Sequence, residues 1–137
     1  MAHPTGISAD EQNRLLEAAL AAQQRAYAPY SKFYVGAAVL TESGNVYSGC
    51  NVENASYGLT NCAERTAIFS AVAAEGPEMK VRAVAVTNAA KVACSPCGAC
   101  RQVIFEFGPN AIVVFQGEKG FVRMAAADLL PSGFSML

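Results

Sequence analysis

Val81-Arg82-Ala83-Val84-Ala85-Val86, then Pro96-Cys97-Gly98-Ala99-Cys100 running on to Phe107, then Ala111-Ile112-Val113-Val114-Phe115: these consecutive pieces decide the architecture. The first carries a β-branched stripe and reads as a strand. The second opens on a proline, whose fixed φ suits a helix start, so Cys97 to Phe107 is predicted as a helix stopped by Gly108-Pro109. The third is a continuous apolar run of the buried-strand kind. Upstream, Ser8-Ala9-Asp10-Glu11 has the spacing of a capping box, and Leu15, Leu16, Ala19, Leu20, Ala22 and Ala26 carry a first helix to about Tyr27, before Pro29. Tyr34 to Leu40 and Val46 to Gly49, joined through Glu42-Ser43-Gly44-Asn45, read as a hairpin. A small, polar, irregular stretch from Asn51 to Asn61 leads into another helix near Cys62, capped by Asn61 or Thr60 and ended by Gly76-Pro77. Phe121-Val122-Arg123-Met124 supplies a fifth strand. Helix, two strands, helix, strand, helix and two strands imply a sheet layered by helices, so the fold class is mixed α/β.

The chain of 137 residues fits one domain spanning 1–137. Hydrophobic residues make up 53% and charged ones 15%, against roughly 25% charged in ordinary soluble domains. Disorder is excluded by that balance. So few charges cannot cover a small domain, and part of the surface is expected to be buried against another copy of the chain. A net charge of −1 with scattered Lys and Arg offers no footprint for nucleic acid. No apolar run approaches the ~18 residues of a membrane span, and Met1 to Gly6 has no secretory pattern. Cysteines at 50, 62, 94, 97 and 100 are odd in number and clustered. A disulfide framework is disfavoured, and metal or redox chemistry in a reducing cytoplasm is the expectation.

Cys97 and Cys100 lie one helical turn apart, on one face, where free N–H groups and the dipole favour thiolate. Cys94-Ser95-Pro96-Cys97 is a second Cys-x-x-Cys, but its first member precedes the proline. Cys62-Ala63-Glu64-Arg65 opens another helix. Three sulfurs from two helix starts would leave a fourth position open, as a catalytic zinc requires. The lone histidine, His3, stands too early in the chain to count on. Three thiolates against a dication leave a net negative charge, which Arg65 and the helix dipoles can offset. Glu64 is the candidate proton carrier beside the metal. Taken singly, Glu64 could be a helix-start carboxylate, Arg65 a surface ion partner and Cys62 a small buried hydrophobe. A structural zinc closed by Cys50 or Cys94, or a redox pair at Cys97 and Cys100, are the competing readings of another class.

Cys62-Ala63-Glu64 with Pro96-Cys97-x-x-Cys100 resembles the signature of the zinc-dependent nucleoside and nucleotide deaminases, in the form where Cys replaces the first His. Ala28-Pro29-Tyr30-Ser31-Lys32-Phe33, Asn51-Val52-Glu53-Asn54-Ala55-Ser56-Tyr57, Arg101-Gln102 and Leu129-Leu130-Pro131 with Phe134 extend the likeness to the small homotetrameric cytidine deaminases across nearly the whole chain. Residues 1–7 form a short N-terminal extension relative to that pattern. The resemblance implies a three-layer αβα fold with a mixed five-stranded sheet, in a cytoplasmic homotetramer. It implies one zinc per subunit on Cys62, Cys97 and Cys100, with Glu64 as proton shuttle and Arg65 and Gln102 as charge-compensating neighbours. Asn51 and Glu53 would bind the ribose, Phe33 would lie against the pyrimidine, the Ala63 N–H would meet the 2-carbonyl, and the Ser95 carbonyl would accept from the departing amine. Ala55, Tyr57 and Phe134 would complete a neighbouring subunit's pocket. The implied substrates are cytidine and 2′-deoxycytidine. A nucleotide or another cytosine-bearing small molecule is the alternative within the class.

Overall fold

The computed structural model describes residues 6–136, so His3 and most of the expected extension lie outside the described residues. The elements are α1 (Ala9–Gln23), β1 (Val35–Thr41), β2 (Val46–Cys50), α2 (Ala63–Glu75), β3 (Val81–Asn88), α3 (Gly98–Phe107), β4 (Ile112–Gly117), β5 (Gly120–Ala125) and the short α4 (Ala126–Leu129). A single 3₁₀ turn, Tyr57–Leu59, interrupts the loop between β2 and α2. The strands form one five-stranded sheet in the order β2-β1-β3-β4-β5. All neighbours are antiparallel except β3 and β4, whose parallel pairing forces a crossover, and α3 makes it. No helix among the described residues is long and apolar enough to cross a membrane.

Alternation along the central strands divides the core. Ala37 and Val39 of β1 and Val84 and Val86 of β3 pack with Ala63, Ala67, Ile68 and Ala71 of α2 and Ile104 of α3. Their neighbours Ala38, Leu40, Ala83 and Ala85 pack with Leu15 and Ala19 of α1. Each face of a pleated strand must find its own apolar cover, and the chain supplies one helix on one side and two on the other. The three-layer αβα arrangement with a mixed sheet follows.

Small residues let α1 lie close to β1. A Cβ built on Gly36 would stand 1.9 Å from the Ala19 carbonyl oxygen and 2.7 Å from the Gln23 nitrogen. Both are backbone atoms and cannot swing aside. Gly36→Ala is therefore expected to push helix and sheet apart, costing about 1–3 kcal/mol or more. A thermal melt should show a fall of at least about 4 °C; an unchanged melting temperature would contradict this packing.

The ends of the helices explain where they start and stop. Ser8 and Glu11 form the expected capping box, with N–H···O distances of 3.0 and 2.9 Å. Glu11 also meets Arg82 of β3 at 2.6 Å, pinning the first turn of α1 to the sheet. The prediction that α1 runs to Tyr27 is corrected: it ends at Gln23. Tyr27 donates its N–H to the Asn51 carbonyl (3.0 Å), and its own carbonyl accepts from Glu53 (2.8 Å), so pairing with a distant segment outcompetes the next helical turn. At the far end of α2, Glu75 accepts from Thr41, Ser43, Asn45 and Tyr47. A carboxylate is unfavourable at a helix C-terminus, and these hairpin donors offset that by tying the β1–β2 turn to the helix.

Candidate active site

Both candidate helices begin at a cysteine. Cys62, rather than the expected Asn61 or Thr60, is the N-cap of α2, with φ −75° and ψ 156°. Cys97, expected as the first helical residue, is the N-cap of α3, with φ −67° and ψ 169°. Neither side chain caps its helix. Extended cap geometry instead turns each sulfur toward the other, and they stand 3.8 Å apart. Cys100, in the first turn of α3, is fully buried and supplies the third sulfur. All three sulfurs lie within 4.8 Å of one another.

That donor set fits zinc. Four-coordinate zinc with bonds of about 2.3 Å holds neighbouring sulfurs ~3.8 Å apart, so this triangle closes on one ion with shifts of no more than ~1 Å. Among the described residues, neither Cys50 nor Cys94 joins the cluster. A structural four-sulfur site therefore finds no fourth sulfur here.

Charge is arranged around the sulfurs. The Arg65 guanidinium donates to Cys62 Sγ at 3.1 Å. The Cys62 thiol is pulled down to about 5, chiefly by its hydrogen bond with Cys100, against the opposing effect of burial and with help from Arg65. That same bond, with burial behind it, drives the Cys100 thiol upward. Bonding to Cys62 likewise raises Arg65, which stays charged throughout. Beside them Glu64 is 5% exposed. Burial pushes its carboxyl up to about 7, and the charge of Cys62 adds to the rise. A carboxyl in that range can both accept and release a proton near neutrality.

A cleft of roughly 190 Å³ opens over this group. Phe33, Asn51, Ala63, Glu64 and Ser95 line it together with Cys62 and Cys97. Cys94 also reaches its wall. Glu53 and Tyr57 lie instead in an adjoining hollow of roughly 410 Å³, which shares Thr60 with the cleft. Ala55 is exposed and lines neither space. Phe134 is 67% exposed. Gln102, expected beside the thiolates, is redirected: its Nε2 donates to the Phe134 carbonyl (2.9 Å) and its Oε1 accepts the Phe134 N–H (3.3 Å). It clamps the C-terminal segment, because a neutral amide matches a backbone N–H and C=O better than a thiolate.

Asn51 spends one donor and one acceptor on the backbone, giving to the Phe33 carbonyl (2.8 Å) and accepting from Val35 (2.9 Å). It has one of each left, since an amide offers two donors and two lone pairs. Arg101 was missed as a site residue. Its guanidinium donates to the Pro96 carbonyl (2.7 Å), the Leu129 carbonyl (2.9 Å) and Ser95 Oγ (2.8 Å), holding the loop that delivers Cys97. Its place directly after Cys100 was the available signal, since a side chain there returns along the first turn of α3.

Two ligand-bearing helix starts and a buried carboxyl on a mixed sheet define the class: a metal-assisted hydrolytic site. A family model for the cytidine and deoxycytidylate deaminase zinc-binding region matches residues 9–116, and the chain belongs to that family. It is 48% identical over 124 residues to a cytidine deaminase of Sporosarcina psychrophila, covering 89% of this chain and 90% of that one. Among solved structures, the cytidine deaminase of Burkholderia pseudomallei superposes with a TM-score of 0.82 at 53% identity, over 89% of this chain and 98% of that one. The cytidine deaminase of Mycobacterium tuberculosis gives 0.81 at 38% identity, over 92% and 98%. The three-cysteine cluster fits one zinc ion per chain.

Proposed function

We propose that this chain, acting as a single domain over 1–137, hydrolyses cytidine and 2′-deoxycytidine to uridine and 2′-deoxyuridine with release of ammonia. The observation that carries the reading is Glu64, almost fully buried and next to a cluster of three sulfurs, one short of the four ligands zinc takes. Cys62, Cys97 and Cys100 would hold a zinc ion, which would supply the Lewis acidity that makes water a nucleophile near neutral pH. Glu64 would take one proton from the attacking water and give it to N3 of the pyrimidine, then take the proton left on the new 4-hydroxyl and hand it to the amine as the C4–N bond breaks. Phe33 packs against the ring. The Ala63 N–H donates to the 2-carbonyl, and the Ser95 carbonyl accepts from the departing amine.

Asn51 and Glu53 take the sugar, and the Glu53 carboxylate favours a free nucleoside by repelling a phosphate. Neighbouring copies in a homotetramer complete the pocket through Ala55, Tyr57 and Phe134; the 76% exposure of Tyr57 and 67% of Phe134 support this. The cytoplasm suits five unpaired cysteines.

Adding cytidine to zinc-loaded protein should lower the absorbance as uridine forms, and chelation should stop the change. Protein that leaves cytidine intact while deaminating its 5′-monophosphate would overturn the nucleoside assignment. Arg65→Ala is expected to lower kcat/KM by about 10- to 100-fold, the worth of a hydrogen bond to a charged group. Metal content should stay at one zinc per chain, because all three sulfurs remain. An unaltered rate would refute the charge-offsetting role.

A further inference from the structure

Glu53 is not free to move in its hollow. The backbone N–H groups of Tyr30 and Ser31 donate to its Oε1 at 2.9 and 3.1 Å. The Ser31 hydroxyl donates to Oε2 in a close contact. That same hydroxyl oxygen accepts the Phe33 N–H at 3.0 Å. One serine thus joins the carboxylate assigned to the sugar with the aromatic residue assigned to the base. The loop has no helix or strand to hold it, and it turns at Lys32 through a left-handed φ of 59°. Its shape depends on these bonds.

Counting acceptors shows what is left. A carboxylate offers about four lone-pair sites, two per oxygen. Two backbone donors fill Oε1 and the Ser31 hydroxyl takes one site on Oε2, so one remains, in a hollow lined by Tyr30, Ser31, Tyr57 and Thr60. Resting on the nucleoside reading above, the geometry points to Ser31 as the positioning residue that aims this last acceptor of Glu53 at a single sugar hydroxyl. Hydrogen bonding from Ser31 is also the largest cause holding the Glu53 carboxyl below its ordinary range, which keeps it an acceptor throughout neutral pH.

The test uses zinc-loaded enzyme with cytidine and with 2′,3′-dideoxycytidine, which lacks both hydroxyls of the sugar ring. Ser31→Ala should raise KM for cytidine on the order of tenfold while kcat stays within about twofold. The penalty should be several-fold smaller with the dideoxy substrate, where only the Phe33 bond is at stake, and Ser31→Thr, which keeps the hydroxyl, should restore cytidine binding. Competitive inhibition by uridine and by 2′,3′-dideoxyuridine should show the same contrast. An equal penalty on both substrates would reduce Ser31 to loop packing, and no penalty on cytidine would remove its role altogether. Should Ser31→Ala fail to fold, Glu53→Gln must reproduce the same dependence on the sugar hydroxyl, and a penalty insensitive to it overturns the proposal. Wild-type enzyme that ignores cytidine overturns the nucleoside reading itself, a result distinguishable from the others.

Discussion

Glu64→Gln is expected to lower kcat by about 10³- to 10⁴-fold while the protein keeps its zinc. A single positioned acid or base contributes about 10²- to 10⁴-fold, and Glu64 serves successive proton transfers, which places the loss toward the upper end. Gln fills the same space and ligates no metal here, so metal analysis should still find one zinc per chain. Retained turnover would disprove the shuttle. A second consequence separates chemistry from folding. Burial raises the Glu64 carboxyl from 4.5 to about 7. Folding of the metal-free chain then takes up a proton between those values, and the stability this group allows is fully present below pH 4.5 and lost as pH rises through 7. Gln carries no charge and escapes the loss. Metal-free Glu64→Gln should therefore be more stable than the metal-free parent at pH 8, by on the order of 3 kcal/mol, with the difference closing in acid. Denaturant melts at pH 4.5 and pH 8 measure it.

Cys100→Ala is expected to abolish zinc binding and deamination together. Cys100 is fully buried, so no water-exposed side chain can take its place. Two remaining sulfurs hold zinc too weakly to survive purification, and activity should fall by at least about 10³-fold and not return with added zinc. Chelated wild-type protein, by contrast, should recover when zinc is restored. Stability should change as well. Cys62 and Cys97 are 35 residues apart in sequence, so the metal closes a long loop through β3. By the chain-entropy argument such a cross-link is worth about 4 kcal/mol, and the zinc-loaded parent should melt well above the variant. A variant that retained zinc and full activity would show that the site has been drawn in the wrong place.

Much of this arrangement was legible from spacing alone. Residues one turn apart share a helical face, so Cys97 and Cys100 could be paired before any coordinates, and Pro96 marked where their helix starts. The order of elements, with short apolar strands interleaved with helices, implied a sheet layered by helices. Local rules failed wherever the deciding partner lay far along the chain. Apolar spacing carried α1 on to Tyr27, but Asn51 and Glu53 claim the Tyr27 backbone. Gln102 looked like part of a motif with the sulfurs, yet Phe134, 32 residues later, takes its amide. Ser31 carries no role that local spacing can reveal, because its partner is the Glu53 carboxylate 22 residues on. Which loops meet is a property of the sheet order, and spacing carries no information about it.

Glu75 sits at one end of α2 and Cys62 at the other, roughly 20 Å apart along the helix axis. Its carboxyl is held below the usual range by its hairpin donors, Asn45 first among them. The tether is thus intact above pH 4.5 and loosens only as acid carries the solution through that depressed value. Protonation removes the charge and one acceptor site from the carboxylate that Thr41, Ser43, Asn45 and Tyr47 share, weakening all these bonds at a single stroke. In the metal-free chain, acid strong enough to protonate Glu75 therefore loosens the hairpin tip, on the outer edge of the sheet, only after the Cys62 thiolate has taken up its own proton at about 5.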